Sequence, residues 1–78
     1  MKKIINGKLY DTDTAERVYE ELYLNKRRTL YLTTKGSWFL FYHAKKEIVP
    51  KTDAEVMEYL GERDADLYIK YFGDVEEA

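Results

Sequence analysis

Few residues in this chain of 78 have side chains suited to covalent chemistry. There is no cysteine, one histidine (His43) and one serine (Ser37). Nucleophilic catalysis requires a nucleophile and a base within hydrogen-bond reach. If both residues lie on one extended strand, six residues at about 3.3 Å each place them roughly 20 Å apart. The sequence therefore predicts no catalytic triad, and we expect a protein that is not an enzyme.

Two acidic pairs, Asp11/Asp13 and Asp64/Asp66, have the spacing found in some divalent-metal sites. Each pair precedes a segment predicted to be helical, where acidic side chains are favoured as caps. A single imidazole without thiolates is a poor basis for a zinc site, and we expect His43 to face solvent at a strand end. The chain also lacks a glycine-rich phosphate loop. We expect no metal ion and no cofactor.

The segment 29–43 is the most apolar in the chain, and its β-branched and aromatic residues predict a β-hairpin. A two-residue turn at Lys35–Gly36 would place Thr33 opposite Trp38. Alternation then gives one face with Leu30, Leu32, Phe39 and Phe41, and another with Thr29, Tyr31, Thr33, Trp38, Leu40 and Tyr42. Because a small core needs only one of these faces, we expect Trp38 and its neighbours to be exposed.

The segments before this hairpin predict a short hairpin and one helix. Asn6–Gly7 lies between apolar runs, which is the strongest short-range hairpin signal. Apolar residues recur at helical spacing from Ala15 to Leu22, which predicts a helix from about Asp13. Residues 19–24 are compatible with either helix or strand.

The segments after the central hairpin predict one strand and two short helices. Glu47–Val49 reads as a strand that Pro50 ends, as suits a sheet edge. Thr52–Glu55 is a capping box for a helix that ends at Gly61. A second helix runs from Asp64 to Gly73. The expected fold class is α+β: a small antiparallel sheet with one N-terminal helix and two short C-terminal helices, in a single domain spanning 1–78.

The formal charge of −2 conceals a separation of charge along the chain. Residues 25–52 carry +6, whereas residues 53–78 carry −7. No run of roughly 20 apolar residues is present to span a membrane, and the absence of cysteine fits a reducing compartment. We therefore expect a cytoplasmic protein without a membrane partner.

Two sets of residues are candidates for binding. Aromatic and basic side chains of the central hairpin are typical of interaction sites, and form the first set: Lys26, Arg27, Arg28, Tyr31, Lys35, Trp38, Leu40, Tyr42, Lys45 and Lys46. Acidic residues of the C-terminal helices could mimic phosphates and form the second: Asp53, Glu55, Glu58, Glu62, Asp64 and Asp66. The aromatic rings of the first set could also stack on nucleic-acid bases while its cations neutralise phosphates. The pI of about 5.4 disfavours this use.

Three parts of the sequence carry a family resemblance: the opening MKKIINGKLYDTDTA, the central LY-T--G-WFL, and the closing AD-Y---FG-VEEA. Together they resemble small, mostly uncharacterised proteins carried by phages and conjugative elements of Gram-positive bacteria. Proteins of this kind include anti-CRISPR inhibitors of RNA-guided nucleases, so the resemblance implies such a protein partner in a bacterial host. It assigns no role to any residue.

Two functional hypotheses follow. In the first, the chain is a mobile-element protein that inhibits a host defence nuclease by protein–protein contact. In the second, it is a nucleic-acid-binding accessory or regulatory protein that uses the basic aromatic hairpin. A homodimer formed through an exposed strand is a further arrangement that the sequence allows.

Overall fold

The computed structural model describes residues 1–73 and 75–78 and contains six strands and two helices. The elements are β1 (Lys2–Ile5), β2 (Lys8–Asp11), β3 (Glu16–Tyr23), β4 (Lys26–Leu32), β5 (Trp38–Tyr42), β6 (Glu47–Lys51), α1 (Asp53–Arg63) and α2 (Ala65–Phe72). Strands β3 to β6 form an antiparallel sheet in sequence order, and β1 and β2 form a separate hairpin. The α+β class is confirmed. Neither helix has the length and apolar composition needed to cross a bilayer in the described part of the chain.

The predicted N-terminal helix is wrong, because the segment from Glu16 to Tyr23 is strand β3 and pairs along its length with β4. A β-bulge between Arg17 and Tyr19 explains the misleading pattern. The extra residue, Val18, breaks the alternation of faces, and Val18 and Tyr19 are both half-buried. A strand with a bulge can thus mimic the i, i+3, i+4 spacing of a helix.

The predicted register of the central hairpin is also wrong, by one residue. Leu32 lies opposite Trp38, and a five-residue loop, 33–37, replaces the two-residue turn. The Ser37 N–H donates to the Thr33 hydroxyl at 3.0 Å, and the Thr33 N–H donates to the Ser37 carbonyl at 2.8 Å. These bonds close a wider loop. Since side chains alternate, the shift moves every β5 residue to the opposite face.

Each face of the four-stranded sheet carries its own apolar cluster. The cluster towards the helices has five buried members: Leu30, Trp38, Leu40, Val56 and Leu60. The cluster towards the β1–β2 hairpin has four: Tyr10, Tyr31, Phe39 and Ile48. The sheet is therefore the middle layer between two helices and a hairpin, and each of its faces contributes to a buried apolar cluster.

The C-terminal helices begin where the sequence predicts. The capping box is present, with the Glu55 N–H donating to the Thr52 hydroxyl at 3.2 Å and the Thr52 N–H donating to the Glu55 carboxylate at 2.9 Å. Gly61 lies inside α1 and does not end it, because the Asp64 N–H donates to the Leu60 carbonyl at 2.7 Å. Asp64 also caps α2, and Gly73 ends that helix as predicted. Strand β6 continues through Pro50 at the edge of the sheet, which Pro tolerates.

The tight turns of the β1–β2 and β3–β4 hairpins differ in sequence although their backbones are similar. Asn6 and Gly7 have φ values of 52° and 75°, whereas Leu24 and Asn25 have φ values of 50° and 62°. A leucine in the left-handed region costs roughly 1–2 kcal/mol, and asparagine tolerates that region far better. Leu24 also gains little from packing, since 76% of it is exposed.

We predict that Leu24→Asn raises the free energy of unfolding by about 1 kcal/mol, because it relieves this backbone strain. The reciprocal change, Asn6→Leu, should lower it by a similar amount. Urea unfolding curves of both variants measure the effect. Equal stabilities of Leu24→Asn and the parent would contradict the strain assigned to Leu24.

Candidate binding surfaces

Three residues of the predicted interaction set belong to the core. Trp38 is 4% exposed, and its ring centroid lies 5.4 Å from that of Tyr71 and 5.6 Å from that of Phe72. Leu40 is 4% exposed and packs in the same cluster. Tyr31 faces the β1–β2 hairpin and is 8% exposed. The expectation of an exposed aromatic row on the central hairpin is therefore corrected: both faces are covered.

The remaining members of that set do not form one surface. Lys26 and Arg27 begin β4, and Lys45 and Lys46 lie in the β5–β6 connection, which is at the same end of the sheet. We call these four exposed cations the basic sheet end. Lys35 lies in the β4–β5 loop at the opposite end.

Arg28, the other cation of the set, is bound within the fold. Its Nε donates to Glu21 Oε2 at 2.7 Å, and its guanidinium lies 6.0 Å from the centroid of the half-buried Tyr42 ring. The Arg28 guanidinium also lies 5.3 Å from the centroid of the Tyr59 ring, so Arg28 links the sheet to α1.

Glu21 joins the sheet to helix α1 through three donors. Besides Arg28, the Tyr59 hydroxyl donates to Glu21 Oε2 at 2.8 Å, and Arg63 Nε donates to Oε1 at 3.0 Å. Desolvation disfavours the charged form of Glu21. The hydrogen bonds from Tyr59, Arg28 and Arg63 outweigh this and hold its pKa at about 2, below the usual 4.5. Burial and the Glu21 carboxylate raise the pKa of the Tyr59 hydroxyl.

No local pattern predicts this cluster, because residues 19–24 are compatible with either helix or strand. Glu21 and Arg28 lie directly opposite each other across β3 and β4. Their ion pair can be predicted only once this strand register is known. The contact from Arg63 spans 42 residues of chain, and no local pattern indicates it.

His43 is half-buried and lies in a chain of hydrogen bonds. Arg27 Nη2 is 3.3 Å from His43 Nδ1, His43 Nε2 is 2.8 Å from the Thr29 hydroxyl, and that hydroxyl donates to Glu20 Oε1 at 3.2 Å. A guanidinium can only donate, and the threonine proton goes to the carboxylate. His43 must then carry its proton on Nε2 and accept at Nδ1, which makes it neutral.

This cluster contains a hydroxyl, an imidazole and a carboxylate, but in an order that does not activate a nucleophile. In a triad the carboxylate orients the histidine, and the histidine accepts the proton of the nucleophile. Here the carboxylate of Glu20 binds the hydroxyl, and a cation binds the histidine. Thr29 is also fully buried. The arrangement stabilises the sheet and offers no route for attack on a substrate.

The two acidic pairs are bound into turns. The Asp13 N–H donates to Asp11 Oδ1 at 2.9 Å in the β2–β3 connection, and the Leu67 N–H donates to Asp64 Oδ1 at 3.1 Å. The second pair is thus a helix cap, as predicted, whereas the first forms a turn before a strand. No group of three or more metal-ligating side chains occurs among the described residues.

The second predicted set lies on the helical layer, with four members on α1, Asp64 at the cap between the helices and Asp66 on α2, and we call it the acidic helical surface: Asp53, Glu55, Glu58, Glu62, Asp64 and Asp66. All are exposed except the half-buried cap Asp64. Lys51 approaches Glu55 at 3.9 Å, and Arg63 approaches Glu62 at 3.5 Å. The other exposed members form no ion pair with the described residues, so most of this charge faces solvent.

Comparison of the chain with protein-family models, with curated proteins and with solved structures gave no match.

We predict that the Glu21 cluster makes stability depend on pH. The pKa of Glu21 is about 2 in the folded state and 4.5 in the unfolded state. Its contribution to the free energy of unfolding is therefore complete above pH 4.5 and is lost as the pH falls from there towards 2. Its size should be of the order of 2 kcal/mol. Urea unfolding at pH values from 7 to 3 measures it. Glu21→Gln should flatten this dependence, and the exposed Glu47→Gln should not.

We predict that His43 titrates below its usual pKa of 6.5, because burial and then the Arg27 guanidinium disfavour its charged form. The folded-state pKa of His43 is lower than its unfolded-state pKa. The contribution of His43 to the free energy of unfolding is therefore present above pH 6.5 and declines as the pH falls below that value. NMR titration of the imidazole should show the low pKa. Arg27→Gln should raise it part of the way to 6.5, with Lys26→Gln as the matched control. An unchanged pKa in Arg27→Gln would exclude the contact as a cause.

Proposed function

We propose that this protein is a non-catalytic binding protein that presents the acidic helical surface to a basic surface of a protein partner. The observation that carries the proposal is the concentration of negative charge on one layer of the fold. Residues 53–66 contain six acidic residues and one basic residue. That single cation, Arg63, is already bonded to Glu21.

Part of this surface has the regularity of a charged polymer. Glu55, Glu58 and Glu62 follow at intervals of three and four residues on α1, which places neighbours about 5–6 Å apart on one side of the helix. A protein that binds nucleic acid places cations against a regular row of phosphates. A row of carboxylates on a helix is a suitable substitute for those phosphates.

The helical layer is also well anchored, which favours binding without a large ordering cost. Val56 and Leu60 are at most 1% exposed against the sheet. The capping box and the shared cap Asp64 fix the ends of the two helices. The carboxylates therefore project from a rigid support.

The family resemblance makes the proposal more specific. The partner would be an RNA-guided nuclease of a bacterial host, whose nucleic-acid channel is positively charged and accepts a phosphate backbone. Occupation of that channel by the acidic helical surface would exclude guide or target and so inhibit cleavage.

The nucleic-acid-binding alternative now depends on the basic sheet end alone. The four cations of that end could contact phosphates, but two of the three aromatic rings predicted to stack on bases, Tyr31 and Trp38, are buried, and Tyr42 is half-buried. Because nucleic-acid binding of this kind is strongly salt-dependent, a titration at low salt separates the alternatives.

We predict that the protein co-elutes with one or more purified RNA-guided nucleases in a panel and reduces their cleavage of target DNA. The triple variant Asp53→Asn, Glu58→Gln, Asp66→Asn should weaken inhibition at least tenfold, because it neutralises acids that have no ion pair. Cleavage assays over a range of inhibitor concentrations measure the change.

The matched control is Lys45→Gln with Lys46→Gln, which changes charge at the basic sheet end and should leave inhibition unchanged. Absence of co-elution and of inhibition across the panel would exclude the nuclease as partner. Salt-sensitive binding to labelled DNA or RNA, lost in the lysine variant and kept in the acidic one, would favour the alternative.

A further inference from the structure

Three consecutive residues at the end of the β3–β4 hairpin, Leu22, Tyr23 and Leu24, form an exposed patch that we call the apolar tip. Their exposed fractions are 70%, 66% and 76%. Soluble domains avoid such runs of exposed apolar side chains unless the run serves binding. The β3–β4 ladder also continues for two residue pairs beyond Arg28, where the pairing of β4 with β5 stops. The apolar tip therefore projects from the end of the sheet.

Leu24 indicates that this exposure has a use, because leucine is unfavourable at its position for two separate reasons. Its backbone lies in the left-handed region, with a φ of 50°, where asparagine or glycine is far better tolerated. Its side chain also packs little within the fold, since 76% of it is exposed. A strained conformation that folding does not require points to a function outside the fold. An apolar medium that accepts the leucine side chain would provide that function.

The side chains of the apolar tip lie on more than one side of the hairpin. Leu22 and Tyr23 are neighbours along β3, so alternation directs them to opposite faces, and Leu24 occupies the turn. A groove on a folded protein contacts one side of such a hairpin, and an added strand contacts one edge. The apolar interior of a lipid bilayer surrounds an inserted tip on every side. This distribution therefore favours a bilayer over a protein groove.

The basic sheet end lies beside the apolar tip. Lys26 and Arg27 follow the turn directly, and the His43 N–H donates to the Arg27 carbonyl at 3.0 Å, which holds the β5–β6 connection and its two lysines alongside. Glu47 is the only acid among residues 22–28 and 43–47. Cations that flank an inserted apolar segment contact the phosphates of anionic lipids. The charge at this end of the sheet is therefore complementary to an anionic bilayer.

We propose that the apolar tip and the basic sheet end together bind the surface of an anionic lipid bilayer. Leu22 and Leu24 enter the acyl region, the Tyr23 ring lies at the level of the headgroups, and the cations contact lipid phosphates. The expectation of no membrane partner rests on the lack of a run long enough to cross a bilayer, and a tip at the interface crosses none. The surface shares no residue with the acidic helical surface, so this inference does not depend on the proposed inhibition.

Co-sedimentation of the full chain with unilamellar vesicles tests the proposal. Vesicles of phosphatidylglycerol and phosphatidylcholine in equal amounts should bind the protein about tenfold or more tightly than vesicles of phosphatidylcholine alone, because each cation near an anionic surface contributes about fivefold. Added salt should weaken the binding, since it screens these charges. Equal binding to both kinds of vesicle, or no binding to the anionic kind at millimolar lipid, would overturn the proposal.

Variants separate insertion of the tip from folding and from charge. Leu24→Asn should weaken vesicle binding about tenfold although it relieves strain in the fold, so lost binding cannot come from unfolding. Leu22→Thr and Ile4→Thr are a matched pair, because both positions lie on strands and are 70% exposed. Only Leu22→Thr, at the apolar tip, should weaken binding. Lys45→Gln with Lys46→Gln should reduce binding to anionic vesicles and leave the weak binding to neutral vesicles unchanged.

Two results would assign the apolar tip to something other than lipid. Binding of Leu24→Asn and of Leu22→Thr as tight as that of the parent would show that charge alone holds the protein on the vesicle, and would overturn insertion of the tip. A dimer in sedimentation velocity that Leu24→Asn dissociates, without any vesicle binding, would assign the tip to a second copy of the chain and overturn the proposal.

Discussion

The central strands β4 and β5 are apolar on both faces, and this constraint determines the rest of the architecture. Leu30, Leu40 and Trp38 point one way, and Tyr31 and Phe39 point the other. Neither face can be left in water without losing the burial that stabilises so small a domain. The helices cover the first face and the β1–β2 hairpin covers the second, so the sheet is enclosed between two layers.

This enclosure changes which residues are available to a partner. The aromatic side chains, which resemble interaction hot spots in the sequence, are the residues that hold the three layers together. Trp38 packs against the end of α2, and Tyr59 of α1 reaches the sheet at Glu21. The exposed side chains that remain include acids on the helices, four cations at one end of the sheet, and apolar residues such as Ile4, Leu22 and Leu24.

Ionisable groups are used inside the fold as well as on its surface. Glu21 accepts from three donors and fixes α1 over the sheet, and neutral His43 connects two strands through Thr29. Asp11 serves a turn, because one of its carboxylate oxygens accepts the Asp13 N–H.

Local sequence signals determined the elements whose structure depends on neighbouring residues. The Asn6–Gly7 turn, the Thr52–Glu55 capping box and the cap at Asp64 form as predicted, because each is made by hydrogen bonds or dihedral preferences within a few residues. The acidic set could be named for the same reason, since helical periodicity and charge are both readable along the chain.

Tertiary structure alone decided the identity of β3, the register of the central hairpin and the burial of Trp38. Helical spacing and a bulged strand give the same pattern of apolar residues, and only pairing with β4 distinguishes them. The register depended on a loop closed by Thr33 and Ser37, and a shift of one residue exchanges the faces of a strand. Contacts between distant segments, such as Arg63 with Glu21, carry no local signal, because they exist only once the layers have packed.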